Sequence, residues 1–445
     1  MLRVLKSPRF ILAAAFVFRL WSLNTYVQQH PKRALGAIPF LFEPGNIAFS
    51  LYSGNGFGSP FRVETGPTAW MTPVYPGLLA GIFHLFGPYT FDAFLSAALA
   101  NVAFSAFAVI PLYFAAKRLG GVNLAATAGW LWAIFPNALL LTYQALWDAS
   151  LGALLATIIL WATLALRESE RVRDWIGYGL LWGLTLMTTA ALGALLPFLL
   201  IWAGWKRRLG LAAIAAGVAV VCCVPWTVRN YRVFHTLVPL RTVMGLSMWL
   251  GNNEKANGIG TANLHPISNS AERARYIELG EIAYNAEKQS EALHFMAAHP
   301  VKTLEFSALR FVAIWSGGAA HPLADFLHPP DPSTSVLWFR WVLGFNLLAA
   351  VFSAIALILP GGFFNPKQRN PMGVPLAAYV LVFPLAYYIT LAPPRYRHPI
   401  DPALMLLSAV TLQAICQTVY RRFVVKSPAA SSTRAHTSRN ISSEK

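Results

Sequence analysis

Long apolar runs dominate this chain and dictate its class. They lie near residues 10–26, 91–116, 123–142, 146–166, 210–228, 335–360, 372–391 and 400–420. A helix that crosses a bilayer needs about 20 predominantly apolar residues, and each run is of that order. A further stretch, 175–204, is flanked by Arg171/Arg173 and by Lys206-Arg207-Arg208, and it reads as a hairpin of two short helices broken near Thr188-Thr189. The sum is an all-α polytopic membrane protein with about ten transmembrane helices and both termini inside. Only 12% of the 445 residues are charged, 56% are hydrophobic, and the mean hydropathy is +0.50. Soluble domains carry about 25% charged residues, so a soluble fold is excluded. Collagen-like, disordered and disulfide-scaffold classes go with it. Pro73–Gly87 is apolar but short, which predicts an interfacial or re-entrant helix.

Charge supplies the orientation. The chain has 35 Lys+Arg against 18 Asp+Glu, a net charge of +17. The inside pieces of this layout (1–9, 117–122, 167–174, 205–209, 361–371 and 421–445) hold 19 basic and 4 acidic residues, and everything else holds 16 and 14. Basic residues gathered on one side mark the cytoplasmic face. They form no single patch, so no nucleic-acid partner is expected. The N-terminal run continues through Phe16-Val17-Phe18 to Trp21 without a small-residue cleavage site and reads as a retained anchor. Cys222, Cys223 and Cys416 all fall in apolar stretches and read as packing residues. No repeat of fixed period is seen. Residues 1–426 form one transmembrane domain in this reading, with outer loops at 27–90 and 229–334, and 427–445 is a disordered cytoplasmic tail. Within the second loop, Ala271–His299 alternates Ile277, Ile282, Ala286, Leu293 and Phe295 with charged residues, the pattern of an amphipathic helix lying on the outer face.

The first outer loop carries the chemistry. It runs Phe42-Glu43-Pro44-Gly45-Asn46, through Ile47–Leu51, to Gly54-Asn55-Gly56-Phe57, and later to Pro73-Val74-Tyr75-Pro76. Pro44 starts a short amphipathic helix that the glycines stop, which leaves Glu43 at the helix N-terminus. A carboxylate is favourable there as a cap; it is equally a candidate general base.

This loop resembles the first outer loop of the GT-C superfamily of integral-membrane glycosyltransferases. More narrowly, it resembles the branch of protein O-mannosyltransferases, lipid A aminoarabinose transferases and rhizobial galacturonosyltransferases. Pro225-Trp226-Thr227-Val228-Arg229-Asn230-Tyr231, Gly251-Asn252-Asn253 and Pro394-Arg395-Tyr396-Arg397-His398-Pro399 resemble later motifs of the same proteins. Glu43 has no acidic neighbour, and Thr188-Thr189-Ala190 stands where many relatives have Arg or Lys. There is no Asp-x-Asp to bind a nucleotide sugar through a cation. The resemblance implies a GT-C-like fold and a sugar donor on a polyprenyl phosphate. It implies a lipid, glycan or protein acceptor and an outer-face site in the cytoplasmic (inner) membrane. No cofactor is expected, and metal dependence stays open.

In that chemistry an acceptor hydroxyl loses its proton as it attacks the anomeric carbon. Glu43 is the first candidate base, and Glu64 the second. Asp148, at membrane depth, is a substrate-site candidate, or else pairs with Arg19 or caps its helix. Arg395 and Arg397, flanking Tyr396 in an extended Pro-rich strip, would point to opposite sides. One would hold the donor phosphate, unless both anchor headgroups. Arg229 and Arg310 are further cations for the donor, and His84 reads as a packed or interfacial histidine. The competing classes are a transporter or lipid flippase, which favours inverted repeats around a midplane site, a polymerase or ligase of surface glycans, and a membrane scaffold.

Cysteines introduced at Glu43, Trp249 and Arg395 should react with impermeant thiol reagents from outside, and those at Lys117, Lys206 and Lys367 should not. Outside labelling at Lys206 would overturn the hairpin and the span count.

Overall fold

The computed structural model describes residues 2–144, 146–205, 208–327, 336–358 and 373–423. The tail 427–445, Lys206 and Lys367 lie outside the described residues. Helix α1 (Pro8–Gln29) begins with proline at its first position, where a missing N–H costs nothing. The segment 27–90 follows, with α2 (Glu43–Tyr52) and α3 (Val74–Phe86). Gly54 and Gly56, at φ 79° and 77°, stop α2, and Gly87 at φ 80° stops α3. At 13 residues α3 is about 20 Å long, too short to cross the hydrocarbon core.

Helix α4 (Phe91–Phe107) is capped by Thr90, whose hydroxyl oxygen accepts the Ala93 N–H at 3.1 Å. It runs on into α5 (Val109–Ile134), and α6 (Ala149–Leu166) follows. Next come α7 (Val172–Thr188), a 3₁₀ turn at Ala190–Leu195, α8 (Leu196–Gly204) and α9 (Leu209–Phe234). Helices α7 and α9 pack at backbone range. A Cβ on Gly179 would stand 2.5 Å from the Ala215 carbonyl oxygen, and one on Gly183 would overlap Cys222. This is the small-residue contact by which membrane helices gain dispersion energy. Cys222 and Cys223 are free thiols serving that packing, while Cys416 is exposed.

The segment 229–334 holds α10 (Met244–Gly251), α11 (Ser270–Leu279), α12 (Glu281–Ala298) and α13 (Pro300–Ser316). The chain closes with α14 (Val336–Ile358), α15 (Val374–Leu381), α16 (Leu385–Ile389), the turn α17 (Pro394–Arg397) and α18 (Asp401–Phe423).

Among the described residues six helices are long and apolar enough to cross a membrane, or seven if Lys32–Phe40 and Glu43–Tyr52, bent by 93°, count as one. The expected number is larger because one double-length stretch is counted once and three apolar segments are shorter than a full span. Residues Phe91–Ile134 make one apolar stretch of 44 residues, about 66 Å of helix and twice the hydrocarbon thickness. It breaks at Gly120 and Gly121, the latter at φ 80°. Helix α7 has 17 residues, and the apolar segments Ala190–Gly204 and Val374–Ile389 are also shorter than a full span. The chain is an integral, multi-pass, all-helical membrane protein, and its only β-pairing among the described residues is the isolated bridge Gly58–Pro67.

The expected single helix over Ala271–His299 is two helices, parted by Gly280 at φ 75°. Its buried side is also not the expected apolar stripe. Ile277 and Leu293 are exposed, whereas Tyr276, Glu281, Tyr284, Asn285, Lys288 and Phe295 are buried. This helix pair binds protein through polar groups. Glu281 is the centre of that contact. Its carboxylate accepts the Thr68 hydroxyl, the Ala69 N–H at 2.8 Å, and the Thr242 and Tyr276 hydroxyls, each at 2.6 Å. Segment 27–90 is thereby tied to segment 229–334.

Glu281→Ala should strand three buried donors and the half-buried Thr242 hydroxyl and lower stability by about 3 kcal/mol or more. The thermal midpoint of purified protein would read this, with the exposed Ile277→Ala as the near-neutral control.

Candidate active site

Where segments 27–90 and 229–334 meet α17, they form a cavity of about 330 Å³. One wall carries Glu43 and His265, and another carries Arg241, Arg395, Tyr396 and Trp147. Trp70, Met71, Leu246 and Leu250 supply apolar surface. A larger cavity of about 690 Å³ between α8 and α15 is lined by apolar side chains and Arg167, with no acid or base to do chemistry.

Glu43 is the first residue of α2 and is buried. Its Oε1 lies 3.1 Å from His265 Nε2. The other ring nitrogen, Nδ1, accepts the Ile267 N–H at 3.2 Å. That bond fixes the tautomer: Nε2 carries the hydrogen and donates it to Glu43. Burial holds the imidazole below its ordinary 6.5, with Glu43 opposing and the positive charge of Arg395 adding to the depression. His265 therefore orients the carboxylate as a neutral donor at pH 7.

Arg395 stacks on the Trp147 ring, 4.1 Å from its centroid, and 5.2 Å from that of Tyr396. Its Nε and the Trp147 Nε1 are both buried without a hydrogen-bond partner among the described residues. Buried donors are almost always paired, so two orphans on one cavity mark a place for a ligand's oxygen atoms. Arg241 is exposed and has no hydrogen-bond or ion-pair partner among the described residues.

The expected extended strip at 394–397 is a helical turn. Residues two apart on a helix still do not face each other. Arg395 enters the cavity, and Arg397 enters the core. There Arg397 bonds Asp401 at 2.6 Å, the Ile314 and Trp315 carbonyls at 2.9 and 3.0 Å, and Asn346. Arg310 is likewise turned away from the cavity. Its donors are taken by the carbonyls of Gly251, Gly258, Tyr388 and Ile389 and by Asn252, so Arg310 and Gly251-Asn252 form a structural clamp. Arg229 binds the Thr68 and Phe57 carbonyls at 2.6 and 2.7 Å, fastening the first loop to α9. Neither of these arginines nor Arg397 lines the cavity.

Asp148 does not pair with Arg19. Arg19 is satisfied by Ser105 and by the Ala15, Trp132 and Ala133 carbonyls. The carboxylate of Asp148 instead accepts the Thr189 hydroxyl and feels the charges of Arg241 and Arg395. It stands behind the cavity rather than on its surface. Glu64 lines a separate cavity, and His84 is exposed beside Tyr52. Sequence reasoning missed His265, Arg241 and Trp147. His265 follows Ala262-Asn263-Leu264 in a loop without periodicity, and nothing in its neighbourhood announces a partner more than 200 positions away. Among the described residues no three His, Cys, Asp or Glu side chains gather as a metal would need, and Glu43 and His265 alone supply such groups to this cavity.

Residues 70–228 match a family profile described as dolichyl-phosphate-mannose-protein mannosyltransferase. No curated protein sequence matches the chain. Among solved structures, the archaeal oligosaccharyltransferase AglB from Archaeoglobus fulgidus, in complex with an inhibitory peptide and a dolichol-phosphate, superposes with a TM-score of 0.55. It is 13% identical, and the match covers 98% of this chain and 52% of that one. The apo form of that enzyme gives 0.52 at 12% identity, covering 94% and 52%. ArnT from Cupriavidus metallidurans bound to undecaprenyl phosphate gives 0.41 at 14% identity, covering 94% and 80%. The chain thus spans about half the length of the archaeal enzyme, and the likeness is one of fold.

Because His265 is held below 6.5, its contribution to stability is complete above that pH and is lost as the pH falls through the depressed value. Thermal stability should therefore decline on acidification below 6.5, and His265→Gln should flatten the decline. An unchanged slope in the variant would place the titration elsewhere.

Proposed function

This chain has the fold of the GT-C superfamily of integral-membrane glycosyltransferases, and from that premise we propose that it moves a sugar from a polyprenyl phosphate to an acceptor hydroxyl on the outer face of the membrane. One observation carries the reading: two unpartnered buried donors, on Arg395 and Trp147, share a cavity with a carboxylate held by a neutral histidine. The first pair suits a leaving phosphate, and the second suits a base.

In the proposed reaction the acceptor oxygen attacks the anomeric carbon while Glu43 takes its proton. The bond from that carbon to the phosphate oxygen breaks, and the electron pair leaves with the polyprenyl phosphate. Arg395 and Arg241 offset the charge that collects there, with Arg395 already held in place on the Trp147 ring. Arginine suits the role because its planar fork holds two phosphate oxygens at once. His265 keeps Glu43 in one rotamer. At low pH a second proton on the ring would put a cation 3.1 Å from the base and weaken it. Asp148 lies close enough to Arg241 and Arg395 to orient both by charge. The family profile, and the lipid phosphates named with the archaeal enzyme and ArnT, favour a lipid-linked donor.

Glu43→Gln should reduce transfer by about 10²–10⁴-fold while the protein still accumulates. Sugar-bearing lipids and surface glycans of a deletion strain carrying each variant would read this. Near-normal product would end the assignment of the base. Arg395→Lys should weaken undecaprenyl phosphate binding by about tenfold or more, the worth of a charge-assisted contact. Arg241→Lys should cost less, because that side chain is exposed. Parent-like binding by both variants would remove the donor site from this cavity.

A further inference from the structure

A second cavity, of about 470 Å³, lies on the other side of the α2 entrance. Leu41 lines it, while the next two residues, Phe42 and Glu43, line the first. Ser59, Arg62 and Tyr89 all line this cavity, at φ 55°, 61° and 58°. They are three of the four non-glycine residues in the left-handed region among the described residues. That conformation is unfavourable for L side chains, and its clustering marks functional surfaces.

The polar groups here have capacity to spare. Arg62 spends its Nε on the Leu41 carbonyl at 2.9 Å, which leaves both terminal nitrogens. Ser59 accepts the Thr65 N–H at 3.2 Å and keeps its own hydroxyl hydrogen. The Glu64 carboxylate, the Asn55 amide and the Tyr89 hydroxyl have no hydrogen-bond partner among the described residues. The Thr65 hydroxyl, beside Glu64, is buried and unpaired. Phe49 and Tyr89, with ring centroids 5.2 Å apart, give the same cavity an aromatic face, and Phe49 is 39% exposed.

This composition selects its ligand. An anion would meet Glu64, a cation would meet Arg62, and an apolar chain would strand both. A neutral polyol fits: its hydroxyls donate to Glu64 and accept from Arg62 and Asn55, and its C–H face lies on the ring. We infer that this cavity binds a sugar unit of the acceptor, making the acceptor a glycan or glycolipid. An acceptor seated there crosses the lip at Phe42 to present a hydroxyl to Glu43. The assignment rests on the transferase reading for the word acceptor, but the binding site stands on its own contacts. Glu64, a candidate base on sequence grounds, becomes a binding residue.

The test uses the full chain in nanodiscs, probed with a lipid-free array of microbial surface oligosaccharides, a peptide array, and undecaprenyl phosphate. Glycan binding should weaken at least about tenfold in Glu64→Gln and in Tyr89→Ala, with undecaprenyl phosphate binding unchanged as proof of folding. Arg395→Lys should do the reverse. Absence of glycan binding above empty nanodiscs, binding indifferent to both pocket variants, or binding to peptides alone overturns the inference. Glycan binding with the pocket pattern, but undecaprenyl phosphate binding indifferent to Arg395→Lys, leaves this site standing and overturns the donor reading.

Discussion

The buried carboxylate of Glu281 is the contact on which the cavity-bearing part of the molecule depends. It accepts from Thr68, Ala69, Thr242 and Tyr276, groups drawn from both segment 27–90 and segment 229–334. Burial and the same carboxylate hold the Tyr276 phenol far above its usual range, so that hydroxyl remains a donor. Thr242 is the neighbour of Arg241, and Ala69 the neighbour of Trp70, so one acid sets two walls of the cavity. Arg229 completes the arrangement by gripping the Thr68 and Phe57 carbonyls from α9. A full charge taken out of water needs several donors to replace hydration. Such a group holds its partners in one geometry because any other leaves it unsatisfied.

The arginines divide by the same physics. Arg19, Arg310 and Arg397 are fully buried, and carbonyl and side-chain oxygens take up their donors. Each closes a gap between helices and has little left to offer a ligand. Among the described residues, Arg395 lies on an indole face with its Nε unpaired, and Arg241 has no hydrogen-bond partner. Stacking costs a guanidinium none of its in-plane donors, so Arg395 is held in place and remains able to bind. A cation is thus ranked by its unfilled hydrogen-bonding capacity at the cavity.

The entrance of α2 separates two different chemistries. On one side, Glu43 is fixed by a histidine whose tautomer is fixed in turn by the Ile267 N–H. On the other, the loop accepts three left-handed side chains and leaves polar groups unpaired. Rigidity and unfilled capacity are what a reacting site and a recognition site respectively need. Placing both on one short helix keeps their spacing constant.

The sequence by itself determined whatever depends on local periodicity and composition. The apolar runs become helices, Gly54 and Gly56 end α2, the 175–204 stretch breaks at Thr188-Thr189, and Glu43 starts its helix beside Pro44. That Arg395 and Arg397 diverge was also legible, since neither a strand nor a helical turn lets residues two apart share a face. Tertiary structure decided the rest. The Gly280 break and the polar buried face of α12 reverse the amphipathic pattern, because that helix packs on protein through Glu281, Asn285 and Lys288. His265, Arg241 and Trp147 join Glu43 and Arg395 only when segments far apart in the chain are brought together. A helix or a turn is encoded within a few residues of itself. A hydrogen bond between Glu43 and His265 has no local signature, and only the folded chain creates the desolvated space that gives it meaning.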